Sequence, residues 1–167
     1  MKIEWIITDE LTNVSKQEFD LEWNGIYGYF QMTINDKMVG CCPNRELIFD
    51  EEGNEDITYW LEELLQAKQM LEEGKEYKFN LLSLNLVGLE FSKRNSANVR
   101  MFYNETDETI WSEQIDFNKF GEEIVRSTNE FINIIREKNP SLLECNIIKK
   151  LIREKIMQGE EKRILLC

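Results

Sequence analysis

The stretch ITYWLEELLQAKQMLEEG, residues 57–74, decides the fold class of this chain. Apolar side chains recur in it every three or four residues, which is the spacing of one buried helical face. Gly74 stands where a left-handed residue often ends a helix, and Asn54 is the predicted cap at the other end. The predicted buried face comprises Ile57, Trp60, Leu61, Leu64, Leu65, Lys68 and Leu71, and Lys68 is its one polar member.

On both sides of this helix the apolar period changes from about 3.6 residues to 2, which is typical of strands. A polar connection is expected from Asp9 to Asn24, and Asn35-Asp36 reads as the tight turn of a hairpin. Residues 76–93 form either one bent strand or two strands broken near Leu84-Asn85. The other predicted strands are Lys2–Thr8, Ile26–Ile34, Lys37–Cys42, Val99–Tyr103 and Thr109–Ile115.

Two more helices are predicted towards the end of the chain. The first has Asp116 or Asn118 as its cap and stops at Asn139-Pro140; the second opens at Ser141, where Ser141 and Glu144 match a capping box. The predicted buried face of the first of these helices contains Phe117, Phe120, Ile124, Thr128, Phe131 and Ile135. We therefore predict a single α+β domain over residues 1–158, with a mainly antiparallel sheet of five to six strands packed by two or three helices, and a flexible tail over residues 159–167.

The charge and the absence of histidine exclude several function classes. The chain has no histidine, and 32 acidic against 20 basic residues give a net charge of −12. Histidine-dependent triads, zinc sites of the HExxH type and two-histidine iron sites are therefore excluded. A protein with this negative net charge repels nucleic acid and anionic membranes. The short apolar stretch at residues 1–8 is followed at once by Asp9 and Glu10, which is not a secretory signal, so the expected location is the cytoplasm.

The motifs that bind cofactors or metals are not matched, and we predict neither. Gly25 and Gly28 lack the third glycine of a dinucleotide loop. The acidic run 50–56 is out of register for an EF-hand, since Gly53 at position 6 would put a tyrosine at position 12. The adjacent Cys41 and Cys42 lack the spacing of a zinc chelate and are expected to be free thiols. Glu90 is interpreted as the outward residue of its strand.

Aromatic residues interleaved with acids form the more suggestive pattern. Tyr59-Trp60 follows the acidic run, and residues 103–111 place an acidic turn beside Tyr103 and Trp111. Tyrosine and tryptophan are enriched in interfaces, and carboxylates around them select a basic partner. The alternative is that the rings are core and the acids are ordinary turn residues. The predicted partner-binding residues are Asp50, Glu51, Glu52, Glu55, Asp107, Glu108 and Trp111.

The run from Gly28-Tyr29-Phe30 through the hairpin to Gly40, followed by residues 59–65 (YWLEELL), resembles the immunity proteins encoded beside bacterial polymorphic toxins. The resemblance is one of general character over about the first half of the chain, and no functional residue is carried over from it. It implies an acidic, non-catalytic protein that neutralises a toxin by occluding its active site. Many such toxins are basic nucleases, whose phosphate substrate an acidic inhibitor would displace.

The expected function is therefore the binding of a basic protein, possibly a toxin domain, without catalysis. Two alternatives stay open. A self-associating or regulatory interaction module would show an apolar surface patch without an acidic rim. A hydrolase built on carboxylates would show a deep pocket with two converging Asp or Glu side chains. The oligomeric state is left open by the sequence.

Overall fold

The computed structural model describes residues 1–23, 25–47, 53–81, 86–93 and 95–153. Within them lie eight strands, four helices and one 3-10 turn. In chain order these are β1 (Lys2–Ile7), α1 (Lys16–Glu22), β2 (Tyr27–Ile34), β3 (Lys37–Cys41), β4 (Glu55–Asp56), α2 (Ile57–Glu72), β5 (Tyr77–Asn80), β6 (Val87–Lys93), β7 (Ala97–Tyr103), β8 (Thr109–Ile115), α3 (Phe117–Lys138), the 3-10 turn (Pro140–Glu144) and α4, described over 146–153.

The first sheet contains β1 to β4, and all its pairs are antiparallel. Its order is β1-β2-β3, and β4 pairs with the start of β2. The predicted hairpin is confirmed, because β2 and β3 pair up to Ile34 and Lys37 on either side of the turn. Asn35 has a φ of 53°, the left-handed conformation that asparagine tolerates in a two-residue turn.

The second sheet is an antiparallel meander in the order β5-β6-β7-β8. Of the two possibilities for residues 76–93, the one with two strands is correct, since β5 and β6 pair with each other. The α+β class is confirmed, whereas the predicted single sheet of five to six strands is wrong. The described residues form two sheets of four strands each. The period of 2 shows which side chains face a core, but it does not show which strands pair.

Helix α2 joins the two sheets, since it lies against β2, β5, β6 and α3. Its Trp60 ring stacks on Phe30 of the first sheet at 4.5 Å between centroids and meets Phe79 of the second edge-on at 6.0 Å. The predicted end at Gly74 is confirmed by a φ of 71°. The predicted cap Asn54 is wrong, because the carboxylate of Asp56 accepts the helix-starting N–H of Tyr59 at 3.0 Å.

The expected polar connection between β1 and β2 contains a helix, α1, which the apolar pattern did not predict. Only Phe19 of its seven residues is buried, so no stripe marks it. A capping pattern does mark it, because the Ser15 hydroxyl accepts the N–H of Glu18 at 3.2 Å. Helix α3 begins at the predicted cap Asp116, whose carboxylate accepts the N–H groups of Asn118 and Lys119.

The third predicted helix begins later than the capping pattern at Ser141 suggested. The Ser141 hydroxyl donates to Asn139 Oδ1 at 2.6 Å, so it does not cap a helix, and residues 140–144 form a 3-10 turn. Helix α4 starts at residue 146, whose N–H donates to Asp20 of α1 at 3.0 Å. None of the helices in the described ranges combines the length and apolar character needed to cross a bilayer.

Candidate functional site

Two adjoining surface hollows, of about 320 and 340 Å³, share Asp9 and Tyr27. We refer to them together as the Tyr27 hollow. They lie at the start of β2, between the end of β1 and the end of α1. Their combined lining is Thr8, Asp9, Glu22, Trp23, Gly25, Tyr27, Gly53 and Asn54. The hollow thus brings two carboxylates and two large aromatic side chains together.

Short backbone contacts hold the hollow in shape. The Asp9 carboxylate accepts the N–H of Tyr27 at 2.5 Å, and the N–H of Thr8 donates to the Tyr27 carbonyl at 3.1 Å. The N–H of Gly53 donates to the Thr8 hydroxyl at 3.1 Å, which holds Gly53 at the hollow. Gly25 is required here, because a Cβ would collide with the Asp56 carboxylate behind it.

The electrostatic character of the hollow is negative. Burial raises the pKa of the Tyr27 phenol, and the nearby charges of Asp56 and Asp9 raise it further, so the ring stays neutral. Burial also raises the pKa of Asp56, although the Thr58 hydroxyl and the Tyr59 N–H stabilise its charged form. A carboxylate beside a neutral aromatic face is the environment that a lysine or arginine side chain prefers.

Trp23 is the second ring at the hollow, and α1 positions it. It caps the C-terminal end of α1, where its N–H donates to the Phe19 carbonyl at 3.1 Å. Its ring lies against the fully buried Phe19 ring with 5.4 Å between centroids. Glu22, one residue earlier, is exposed. The aromatic side chain is therefore anchored to the core while the carboxylate next to it faces solvent.

Three of the predicted partner-binding residues, Asp50, Glu51 and Glu52, lie outside the described residues. The residues that follow them, Gly53 and Asn54, line the Tyr27 hollow.

Glu55 is half-buried, and its carboxylate accepts the indole N–H of Trp60 at 2.8 Å. That bond directs the side chain towards the core helix α2. Glu55 thus serves the packing of Trp60, and the bond is consistent with the alternative interpretation that the rings here are core.

The second predicted group lies in the turn between β7 and β8 of the second sheet. The Asp107 carboxylate accepts from Arg100 at 2.8 Å. This bond is the main cause that lowers the pKa of Asp107, and it outweighs burial, which acts in the opposite direction. Arg100 also bonds Glu90, which lies on the outer side of its strand as predicted. Glu108 is exposed, and Trp111 is half-buried against the core. Asp107 and Glu90 are thus paired with the basic side chains of Arg100 and Lys78.

A second concave region, of about 880 Å³, runs along β1 and α3, and we call it the β1 groove. Its carboxylates are paired with cations. Glu4 bonds Lys2 at 2.5 Å, while Glu123 and Glu130 bond Arg126 at 2.7 and 2.6 Å. Its lining is Lys2, Ile3, Glu4, Trp5, Ile6, Cys42, Pro43, Glu123, Arg126, Glu130, Asn133 and Ile134.

Sequence reasoning missed the residues of the Tyr27 hollow. Asp9 and Glu22 were assigned to a plain connection, and Trp23 and Tyr27 are ordinary aromatic residues in the sequence. The capping pattern at Ser15 was the available signal, since a helix over 16–22 places Glu22 and Trp23 at its end. The convergence of residues 9, 22 and 27 follows only from the antiparallel pairing of β1 with β2.

Comparison with known proteins gives no match: no family model, no curated protein and no solved structure matches this chain. In the described part of the chain, histidine, cysteine, aspartate and glutamate form no group of three or more that could hold a metal ion. Cys41, Cys42 and Cys145 are free thiols.

Proposed function

We propose that this chain is a non-catalytic binding protein for a basic protein partner, and that the Tyr27 hollow lies in the interface. The observation that carries the proposal is the hollow itself. Asp9 and Glu22 lie there beside the rings of Trp23 and Tyr27. This combination supplies both charge and aromatic contact area for lysine and arginine side chains.

We further propose that the partner is a toxin domain whose active site is covered by this chain, in the manner of immunity proteins. The net charge of −12 supports this proposal. Opposed charges steer association and raise rates to about 10⁸–10⁹ M⁻¹s⁻¹ at low salt. A protein that must block a toxin before damage occurs benefits from rapid association.

The carboxylates of the β1 groove do not favour the hydrolase alternative. Burial pushes the pKa of Glu123 upward, but bonds from Arg126 and from the N–H of Ile3 outweigh it and leave the pKa lowered. A general acid in a glycosidase needs a raised pKa.

The proposal is tested with the product of the neighbouring reading frame, used as an immobilised binding partner in surface plasmon resonance. The test variant is Glu22→Lys, and the matched control is Glu137→Lys, which makes the same charge change at an exposed position of α3 outside the hollow. We expect Glu22→Lys to lower the association rate by about tenfold at low salt and to weaken its salt dependence. The control should change the rate much less.

Two further variants define the interface. Tyr27→Ala should raise the dissociation rate, since it removes the central ring of the hollow. Glu108→Lys reports whether the turn between β7 and β8 also takes part. Equal effects of Glu22→Lys and Glu137→Lys would show that only overall charge matters, and the proposed site would be wrong.

A further inference from the structure

Strand β1 has one paired edge and one open edge. It pairs with β2 along its whole length, from Lys2 with Thr33 to Ile7 with Gly28. It is the terminal strand in the order β1-β2-β3, and no other strand of the described chain pairs with it. An open edge offers backbone N–H and C=O groups to another strand.

The outward groups of β1 can be assigned from its hydrogen bonds. The N–H of Ile3 donates to Glu123 at 2.7 Å, and its carbonyl accepts from Arg126 at 3.0 Å, so both groups of Ile3 point away from β2. At the other end, Thr8 bonds back to β2 through the Tyr27 carbonyl. In an antiparallel pair these directions alternate, so the groups of Trp5 and Ile7 also point to the open edge.

The β1 groove has a wall on each side of this edge. Helix α3 provides one wall through Arg126, Glu130, Asn133 and Ile134. The other wall is Cys42 and Pro43. Cys42 is held there because its N–H donates to the side chain of Gln31, on the face of β2 away from the core. An extended chain lying beside β1 would fill the space between these walls.

We propose that the β1 groove receives an extended segment of the basic partner by strand addition, forming backbone hydrogen bonds with Trp5 in the groove and with Ile7 just beyond it. The identity of the occupant as a basic partner rests on the proposed function. In this mode backbone bonds supply affinity, and alternate side chains supply specificity. Glu123 and Arg126 already bond the backbone N–H and carbonyl of Ile3. The added strand therefore ends before it reaches Ile3.

Charge decides between the possible occupants. The groove lining carries three carboxylates, Glu4, Glu123 and Glu130, against the two cations Lys2 and Arg126. Glu130 bonds Arg126 but stays more than half exposed, so its carboxylate is also accessible to a lysine or arginine of the added strand. A second copy of this chain would bring its own charge of −12 to the same edge and would be repelled.

The test uses a displayed library of random dodecapeptides, selected on the wild-type protein and counter-selected on Asn133→Trp. The tryptophan fills the groove from an exposed position of α3. The matched control is Asn118→Trp, the same substitution at an exposed position of α3 that is not part of the groove lining. We expect selected peptides to bind the wild type and Asn118→Trp alike, and to lose at least about tenfold in affinity for Asn133→Trp.

Amide hydrogen exchange then identifies the binding mode. In the complex the backbone amide hydrogens of Trp5 and Ile7 should exchange about tenfold more slowly or slower still. The amide hydrogens of Glu4 and Ile6 are already bonded to β2, so their exchange rates should not change. Each selected peptide is also made in two N-methylated forms, one for each set of alternate residues. The form whose methyl groups replace the N–H groups facing β1 keeps its side chains and charge but cannot complete the ladder, so it should not bind, whereas the other form should bind like the unmethylated peptide. Equal binding of both methylated forms and the unmethylated peptide would overturn the proposal.

The remaining outcomes separate this inference from the proposed function. Selected peptides should bind Glu22→Lys as well as they bind the wild type, because Glu22 lies in the Tyr27 hollow. Loss of binding in Glu22→Lys but not in Asn133→Trp would leave the proposed function intact and overturn strand addition. A dimer in sedimentation experiments that Asn133→Trp abolishes would overturn the basic partner in favour of a second copy. Failure to select any groove-dependent peptide would overturn the proposal outright.

Discussion

Replacing Asn139 by alanine should cost a large part of the stability of this protein. The side chain is buried, and its Nδ2 donates to the carbonyls of Leu11 and Val14, both at 2.7 Å. Its Oδ1 accepts the hydroxyl of Ser141 at 2.6 Å. Asn139 thus ties the segment after Asp9 to the end of α3, more than a hundred residues along the chain.

The magnitude follows from what the substitution leaves behind. An alanine removes both donated bonds and leaves two carbonyls without these donors, and a buried unsatisfied group costs about 1–3 kcal/mol. We expect Asn139→Ala to lower the free energy of unfolding by about 2–4 kcal/mol, against a total of about 5–15 kcal/mol for a typical domain. Asn139→Asp should be at least as harmful at neutral pH, because a carboxylate cannot donate to either carbonyl.

Urea unfolding followed by circular dichroism measures this effect. The midpoint should fall while the m-value stays constant, since the folded surface is unchanged. Asn133→Ala, at an exposed position near the end of the same helix, is the control and should stay within about 0.5 kcal/mol of wild type. A loss below about 1 kcal/mol for Asn139→Ala would refute the reasoning, because the carbonyls of Leu11 and Val14 would then have other donors.

Two further predictions concern charged groups. Lys68 is buried on α2, and Glu72 is its one ion-pair partner among the residues that the structure describes, at 2.7 Å. Lys68→Met should leave the free energy of unfolding unchanged or raise it by about 1 kcal/mol, whereas Glu72→Ala should lower it by about 1–2 kcal/mol, and a double-mutant cycle measures the difference. Glu123→Gln should lower stability by about 1 kcal/mol at pH 7, because the folded-state pKa of Glu123 is lowered and its contribution is present above its ordinary value of 4.5. That difference should disappear as the pH falls below 4.5, and a constant difference from pH 7 to pH 3 would contradict it.

The elements predicted correctly are those whose signal is local. The stripe from Ile57 to Leu71 and the left-handed glycine after it define α2, and Asn35-Asp36 defines the hairpin, because helix period and turn chemistry act over a few residues. The cap of α2 was misplaced by two residues, at Asn54 in place of Asp56. Asparagine and aspartate cap equally well, so the sequence alone cannot choose between them.

The parts that were not predicted depend on contacts between distant segments. Ser141 matched a capping pattern, but its hydroxyl bonds Asn139, which in turn holds carbonyls near residue 11. The division into two sheets follows from α2 lying between strands whose alternation is compatible with either arrangement. The Tyr27 hollow depends on the β1–β2 register, which joins Asp9 to Tyr27 across eighteen residues.

The position of Trp60 between the two sheets has a consequence for the unfolding of the protein. One face of its indole belongs to the first sheet through Phe30, and its edge belongs to the second through Phe79. If either sheet unfolded, one side of this large ring would be exposed to water, and the remaining sheet would lose a large part of its apolar contacts. The two sheets are therefore expected to unfold together. The chain has four tryptophans, so the fluorescence of Trp60 should report the loss of both sheets in a variant whose other three tryptophans are replaced by phenylalanine.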